Sequence, residues 1–167
     1  MKVMIDGIEY VPKNGTNDMV RFFDNNLWGK KEWEPEILDI QKWYYGSVVK
    51  AAWCATALSY VADRCGLLDA IGGKNENVYL MMEACKKSSK GRFIEGSHME
   101  IERGDICFFC FDFDEEMSIT SSKHVGLAYW KSAANEKILV IGGNQDDKVS
   151  RKFYDRKYLV GIFRLEV

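Results

Sequence analysis

Apolar residues recur along this chain on two periods, and the period changes near residue 100. In the first part the spacing is helical. Between Ala52 and Cys65, Leu58, Val61, Ala62 and Cys65 fall at i, i+3, i+4 and i+7, and Gly66 stands where a helix stops. Pro35 suits the first turn of an earlier helix, with Ile37, Ile40 and Tyr44 along one side. Thr16 can cap a short helix over 17–25, with Met19, Val20, Phe22 and Phe23 as its apolar side. A further helix from Glu76 to Lys87 buries Val78, Met81, Met82 and Cys85, then dissolves into a solvated run from Lys86 to Gly91. Ahead of all of them, Val3–Ile5 and Ile8–Tyr10 flank Asp6-Gly7, a hairpin signal.

Beyond residue 100 the pattern belongs to strands. Ile106–Phe111 is a continuous apolar run, and Val125–Trp130, Lys137–Ile141 and Leu159–Leu165 are β-branched or aromatic-rich segments bounded by turn residues. Helices first and strands afterwards, without βαβ alternation, predict an α+β domain with a largely antiparallel sheet. The expected division is a helical, aromatic front over 1–50, the central and following helices over 51–100, and the sheet over 101–167, all in one domain. Trp28, Trp33, Trp43, Tyr44 and Tyr45 crowd the front part. Such residues serve as glycan-docking surfaces or as packing anchors, and anchors are the expectation here.

Composition narrows the function classes. A formal charge of −2 over 167 residues, with Lys and Arg scattered, gives no basic face for nucleic acid. There is no apolar run of signal-peptide length at the start and none of about 18 residues anywhere, so membrane insertion is not expected. The chain is expected to be made in the cytoplasm as a monomer, with any work outside the cell requiring separate release. Five cysteines, an odd number without framework spacing, fit free thiols in a reducing compartment. Cys107 and Cys110 form a CxxC inside a strand, where their side chains face opposite ways, and no second pair stands at zinc spacing. They are expected in the core, and no metal or other cofactor is called for. Asp112, Asp114, Glu115 and Glu116 read as a solvated acidic connection or, less simply, a calcium loop.

The candidate chemistry centres on Cys54. It falls in the first turn of the Ala52–Cys65 helix, where free N–H groups and the helix dipole favour an anion. Such a position lowers a thiol pKa below its reference of about 8.5, and the thiolate is the nucleophile. The competing description is a small buried hydrophobe. Of the two histidines, His98 lies in a polar segment, whereas His124 opens the strand leading to Trp130. If a five-residue loop, 132–136, joins this strand to the next, Lys131 pairs with Lys137 and His124 comes opposite Asn144. That register puts His124 and Asn144 on one face with Gly126, Gly142, Ala128 and Val140, leaving room for a helix front or a substrate backbone. A cysteine nucleophile needs a base, and the base needs a group that fixes its tautomer. Cys54, His124 and Asn144 fit those roles, with Asp146 and Asp147 as alternatives to the asparagine.

Four segments together resemble the CHAP and NlpC-type branch of the papain-like cysteine peptidases and amidases. These are Trp53-Cys54-Ala55 opening a helix, Arg103-Gly104-Asp105-Ile106 and His124-Val125-Gly126 opening strands, and Gly142-Gly143-Asn144-Gln145 closing one. The tail from Val149 to Arg164 is similar to the end of single-domain, phage-associated members. The resemblance implies a papain-like fold with the nucleophile helix packed on the sheet. Cys54 would be the nucleophile, His124 the base, Asn144 the orienting group and Asp105 a structural anchor. Trp53, Tyr45, Gly126 and Gly143 would border the substrate, and the Cys54 N–H would be one oxyanion donor, with Tyr45 and Ser47 as candidates for the second. The implied activity is hydrolysis of amide bonds in peptidoglycan peptide, as amidase or endopeptidase. Two other outcomes remain open: a non-catalytic wall-binding or assembly module, and an isopeptidase or deamidase acting on a protein.

Overall fold

The computed structural model describes residues 3–5, 8–10, 15–49, 51–112 and 117–166. Strands β1 (Val3–Ile5) and β2 (Ile8–Tyr10) form the expected antiparallel hairpin; its Asp6-Gly7 turn lies outside the described residues. So do Asp114, Glu115 and Glu116 of the acidic connection. Helix α1 (Gly15–Phe22) starts earlier than the pattern suggested and ends in a π turn, Phe23–Leu27, which buries both Phe23 and Leu27. Helix α2 (Pro35–Tyr45) begins at its proline and stops at Gly46, whose φ of 78° only glycine adopts cheaply. Helix α3 (Cys54–Arg64) is two residues shorter at the front than predicted, so Cys54 is its first residue. Helix α4 (Val78–Lys87) starts where the Asn77 side chain accepts the Leu80 N–H at 3.2 Å.

The sheet has six strands, all antiparallel, in the order β3-β8-β4-β5-β6-β7: β3 (Gly91–Glu95), β4 (Ile106–Cys110), β5 (Lys123–Ala128), β6 (Ile138–Gly142), β7 (Ser150–Tyr154) and β8 (Leu159–Leu165). The α+β class is therefore as expected. The two outermost strands, β3 and β7, were not foreseen. Residues 151–153 are exposed and β3 has no fully buried residue, so neither edge carries the apolar run that marks a central strand.

Side chains alternate across the sheet into two cores. Ile106, Phe108, Cys110, Val125, Leu127, Ile141 and Phe163 pack under α1, α3 and α4, while Cys107, Phe109, Ala128, Val140 and Ile162 fill the other face. The CxxC is split between them, as strand geometry requires. The second face is concave. Tyr154 of β7 stacks on Phe109 of β4 with ring centroids 4.7 Å apart, although three strand spacings of a flat sheet would separate them by about 14 Å. The sheet thus coils until its β7 end closes over β4. Arg156 ties this closure, donating to the carbonyls of Ser97, Met99, Ser132, Ala133 and Glu136. Of the front aromatics, Trp43, Tyr44 and Tyr45 are half-buried anchors, but Trp28 and Trp33 are 44% and 69% exposed, against the packing role expected of them.

Among the described residues no helix is long and apolar enough to cross a membrane, and no group of three or more His, Cys, Asp or Glu is placed to hold a metal.

Candidate active site

Cys54 opens α3 at the end of the sheet where β5 begins. Trp53 precedes it as the N-cap, supplying no side-chain cap but accepting the Ala57 N–H at 2.9 Å through its carbonyl. The Trp53 ring is buried against Gly143, where a Cβ would come within 2.7 Å of its six-membered edge and 2.8 Å of the Ala57 Cβ. Gly143 is thus the glycine that lets the helix front reach the sheet. Trp53 and Gly143 pack on each other rather than lining open space, and the Trp53 Nε1 finds no partner among the described residues.

Cys54 as a residue is 6% exposed, and burial raises its thiol pKa above the ordinary cysteine value. The N–H groups of Val125, Ala55 and Cys54 itself, and the charge of Lys123, pull the other way without prevailing. The easier ionisation expected from the helix terminus is therefore outweighed by desolvation in the free protein. The Val125 contact places Cys54 beside the residue that follows His124. No hydrogen bond joins Cys54 to His124.

His124 is buried, and burial pushes its pKa down to about 4, partly offset by its bond to Gln145. The β5–β6 register is the one inferred from the loop length: Leu127 pairs with Ile141 and Ala128 with Val140, which extended brings His124 level with Asn144. The orienting contact nevertheless goes to the next residue. His124 Nε2 lies 2.9 Å from Gln145 Oε1, in place of the expected Asn144. The strand ends at Gly142, and Asn144, Asp146 and Asp147 all take left-handed backbone, with φ of 55°, 58° and 59°. That turn breaks the strand alternation, so the side chain directed back at the imidazole is the glutamine. Asp146 pairs with Lys152 at 3.1 Å, and Asp147 is exposed.

The Gln145 amide is itself locked. Its Nε2 donates to the carbonyls of Val140 at 3.1 Å and Ser150 at 2.7 Å, and its backbone carbonyl accepts from the Ser150 hydroxyl. With both N–H groups committed, only Oε1 is left for the histidine, so His124 must donate from Nε2. A neutral His124 then carries its lone pair on Nδ1. Gly126 and Gly142 make room for this amide: a Cβ on either would lie 3.5 or 3.2 Å from Gln145 Oε1, and at Gly126 it would collide with the Val140 side chain. Gly126 thus shapes the second face rather than a substrate path. The imidazole face is covered by Tyr154, at 5.2 Å and 21° between planes, with Phe109 beside it at 6.5 Å.

Tyr45 is half-buried beside Glu76 and Thr56, and burial, then Glu76, raises its pKa to about 12. Ser47 is exposed. The side-chain Oε1 of buried Gln41 accepts the Val49 N–H at 2.9 Å, fastening the loop that leads into α3. Asp105 accepts from Arg164 at 2.9 and 2.8 Å and from the Glu102 N–H at 2.8 Å, anchoring the start of β4. His98 is an exposed loop residue, as expected. Gln145 and Tyr154 carried no assigned role in the sequence; the signal for the glutamine was its place directly after Gly142-Gly143-Asn144. No family model, curated protein or solved structure matches the chain.

Proposed function

We propose that the protein is a thiol hydrolase of amide bonds in bacterial peptidoglycan peptide, on a papain-like arrangement of Cys54, His124 and Gln145. The observation that carries this reading is the Gln145 lock, which commits His124 Nε2 as a donor and leaves Nδ1 as a base in a residue adjacent to the Val125 N–H that faces the thiol. A neutral imidazole and a neutral thiol form the resting pair. On substrate binding, the Sγ proton passes to Nδ1 as Sγ bonds to the carbonyl carbon, and the oxyanion takes the Cys54 N–H. The C–N bond then breaks, and the imidazolium returns the proton to the leaving amine. Water attacks the thioester with His124 as base, releasing the acid and restoring the thiol. No metal or organic cofactor takes part in these steps. The wall peptide as substrate rests on the sequence resemblance alone.

The test is mass spectrometry of soluble fragments from purified peptidoglycan treated with wild type, Cys54→Ala and His124→Ala. New amine and carboxyl termini from wild type alone are expected. No release by wild type, with turnover of a ubiquitin-like conjugate or protein glutamine instead, would replace this substrate with a protein. Release persisting in Cys54→Ala would end the thiol mechanism. One observation favours a non-catalytic wall-binding module: the thiol is deeply buried and has no bond to the histidine. That reading predicts undiminished wall binding by both variants and no fragments from any form.

A further inference from the structure

On the helix side of the sheet, past the cover of α3, the β6–β7 edge presents a strip of rings and guanidinium groups. The Arg151 guanidinium of β7 lies 4.1 Å from the Trp28 ring centroid and 4.6 Å from that of Tyr129, so two rings hold it. Arg103 covers Tyr129 at 4.9 Å, and Trp130 stacks beside Tyr129 at 6.3 Å. Phe153, two residues along β7 from Arg151 and opposite Leu139, continues the strip. The outer rings are open to solvent: Trp28 is 44%, Trp130 62% and Phe153 63% exposed. Among the described residues Asp24 is the carboxylate paired here, 3.6 Å from Arg151 and bonded to the Tyr129 hydroxyl at 2.8 Å, so two arginines stand beside one acid. In a chain of net charge −2, this is a local reversal of sign.

We infer that this strip docks an anionic wall polymer in which sugar or polyol units alternate with phosphodiesters. Arg103 commits one N–H to the Tyr129 carbonyl at 2.7 Å, whereas Arg151, whose contact with Asp24 is a long 3.6 Å, keeps N–H groups for an oxyanion, and a held, weakly hydrated arginine is the side chain suited to phosphate. Exposed rings at either end, with the cations between them, match a polymer whose rings and charges alternate along its backbone; a polyuronate carries a charge on every ring. The strip also leads to the candidate site. The Gly29 N–H bonds the Val149 carbonyl at 3.0 Å, which sets Trp28 at the end of the sheet where Gly143 packs under Trp53. The inference rests on the wall reading for the source of the polymer, but it does not require turnover.

The test is co-sedimentation of Cys54→Ala protein with wall carrying teichoic acid, with the same wall after hydrofluoric acid has removed its phosphodiesters, and competition by soluble polygalacturonate. At least tenfold tighter binding to the intact wall is expected, weakening as salt rises. Arg151→Gln should lose most of that difference. Trp130→Ala and Phe153→Ser, at exposed positions that fold independently of the Arg151–Asp24 pair, should each weaken binding several-fold. Equal binding to both walls, equal competition by polygalacturonate, or full binding by the Trp130 and Phe153 variants would overturn the inference. Wall binding without fragments from wild type would count against the hydrolase alone.

Discussion

Acidification should unfold this protein in part through His124, and the size of the effect follows from its surroundings. In the folded chain, desolvation holds the imidazole neutral down to about pH 4, whereas a free histidine takes its proton near pH 6.5. The unfolded chain therefore binds one more proton than the folded chain between those values, and stability falls as pH falls through that window. It is fully present above pH 6.5 and lost by pH 4. The difference is about 2.5 units at about 1.4 kcal/mol each, hence about 3–4 kcal/mol, a large share of the stability of an ordinary domain. The assay is urea unfolding at half-unit steps from pH 7.5 to 4, for wild type and for His124→Leu. The carboxylates titrate in both proteins, so the divergence of the two curves isolates the histidine. Leucine lowers the whole curve by leaving Gln145 Oε1 unpaired, but the slope is what the measurement reads. Curves that run parallel across the window would refute a buried neutral imidazole, and with it the Nδ1 base.

Gln145→Glu should raise the His124 pKa by setting a carboxylate against Nε2, and the acid limb of its NMR titration should move upward; Gln145→Leu should cut turnover at least a hundredfold through loss of the tautomer lock. Gly143→Val drives a side chain into the Trp53 ring and Ala57, and should cost about 1–3 kcal/mol in urea unfolding while slowing any reaction at Cys54. Arg164→Ala leaves Asp105 buried without its cation and should cost about 3–5 kcal/mol, visible as a lowered melting temperature. Iodoacetamide labelling of Cys54 in the free protein should stay slow below pH 8 and climb only under alkaline conditions, since burial raises the thiol pKa; rapid labelling at pH 5 would instead show a preformed ion pair.

The central helices and strands were legible because each buries one face or two and so repeats on its own period. Leu58, Val61 and Ala62 are all buried on α3, and the strand carrying Ile106 to Cys110 is buried throughout, as a continuous apolar run implies. The edges were not legible, because an edge strand owes its place to backbone pairing with a neighbour. Arg151, Lys152 and Phe153 are all exposed, so no periodicity marks β7. The coil of the sheet was invisible for a related reason: it brings Tyr154 onto Phe109 and His124 from three and two strands away, a contact without a sequence spacing.

The site shows the same boundary at the scale of single residues. Register arithmetic carried correctly along β5 and β6, because both are regular strands and the period is two. It failed two residues beyond Gly142, where the backbone turns left-handed at Asn144 and counting places no longer says where a side chain points. Asparagine and aspartate tolerate that conformation, so Asn144, Asp146 and Asp147 are explained by the turn they permit, and Gln145, between them, is left to make the polar contacts. It bonds the histidine and two backbone carbonyls at once, which a shorter asparagine on a continuing strand could not do from the same place. A polar residue enclosed by residues suited to a left-handed turn, just past a glycine-rich strand end, is thus a better candidate to orient a histidine than the residue directly across from it. The Gln145 variants decide between the two: Asn144→Ala should leave the His124 titration unchanged, and a shift as large as that of Gln145→Glu would return the role to the asparagine.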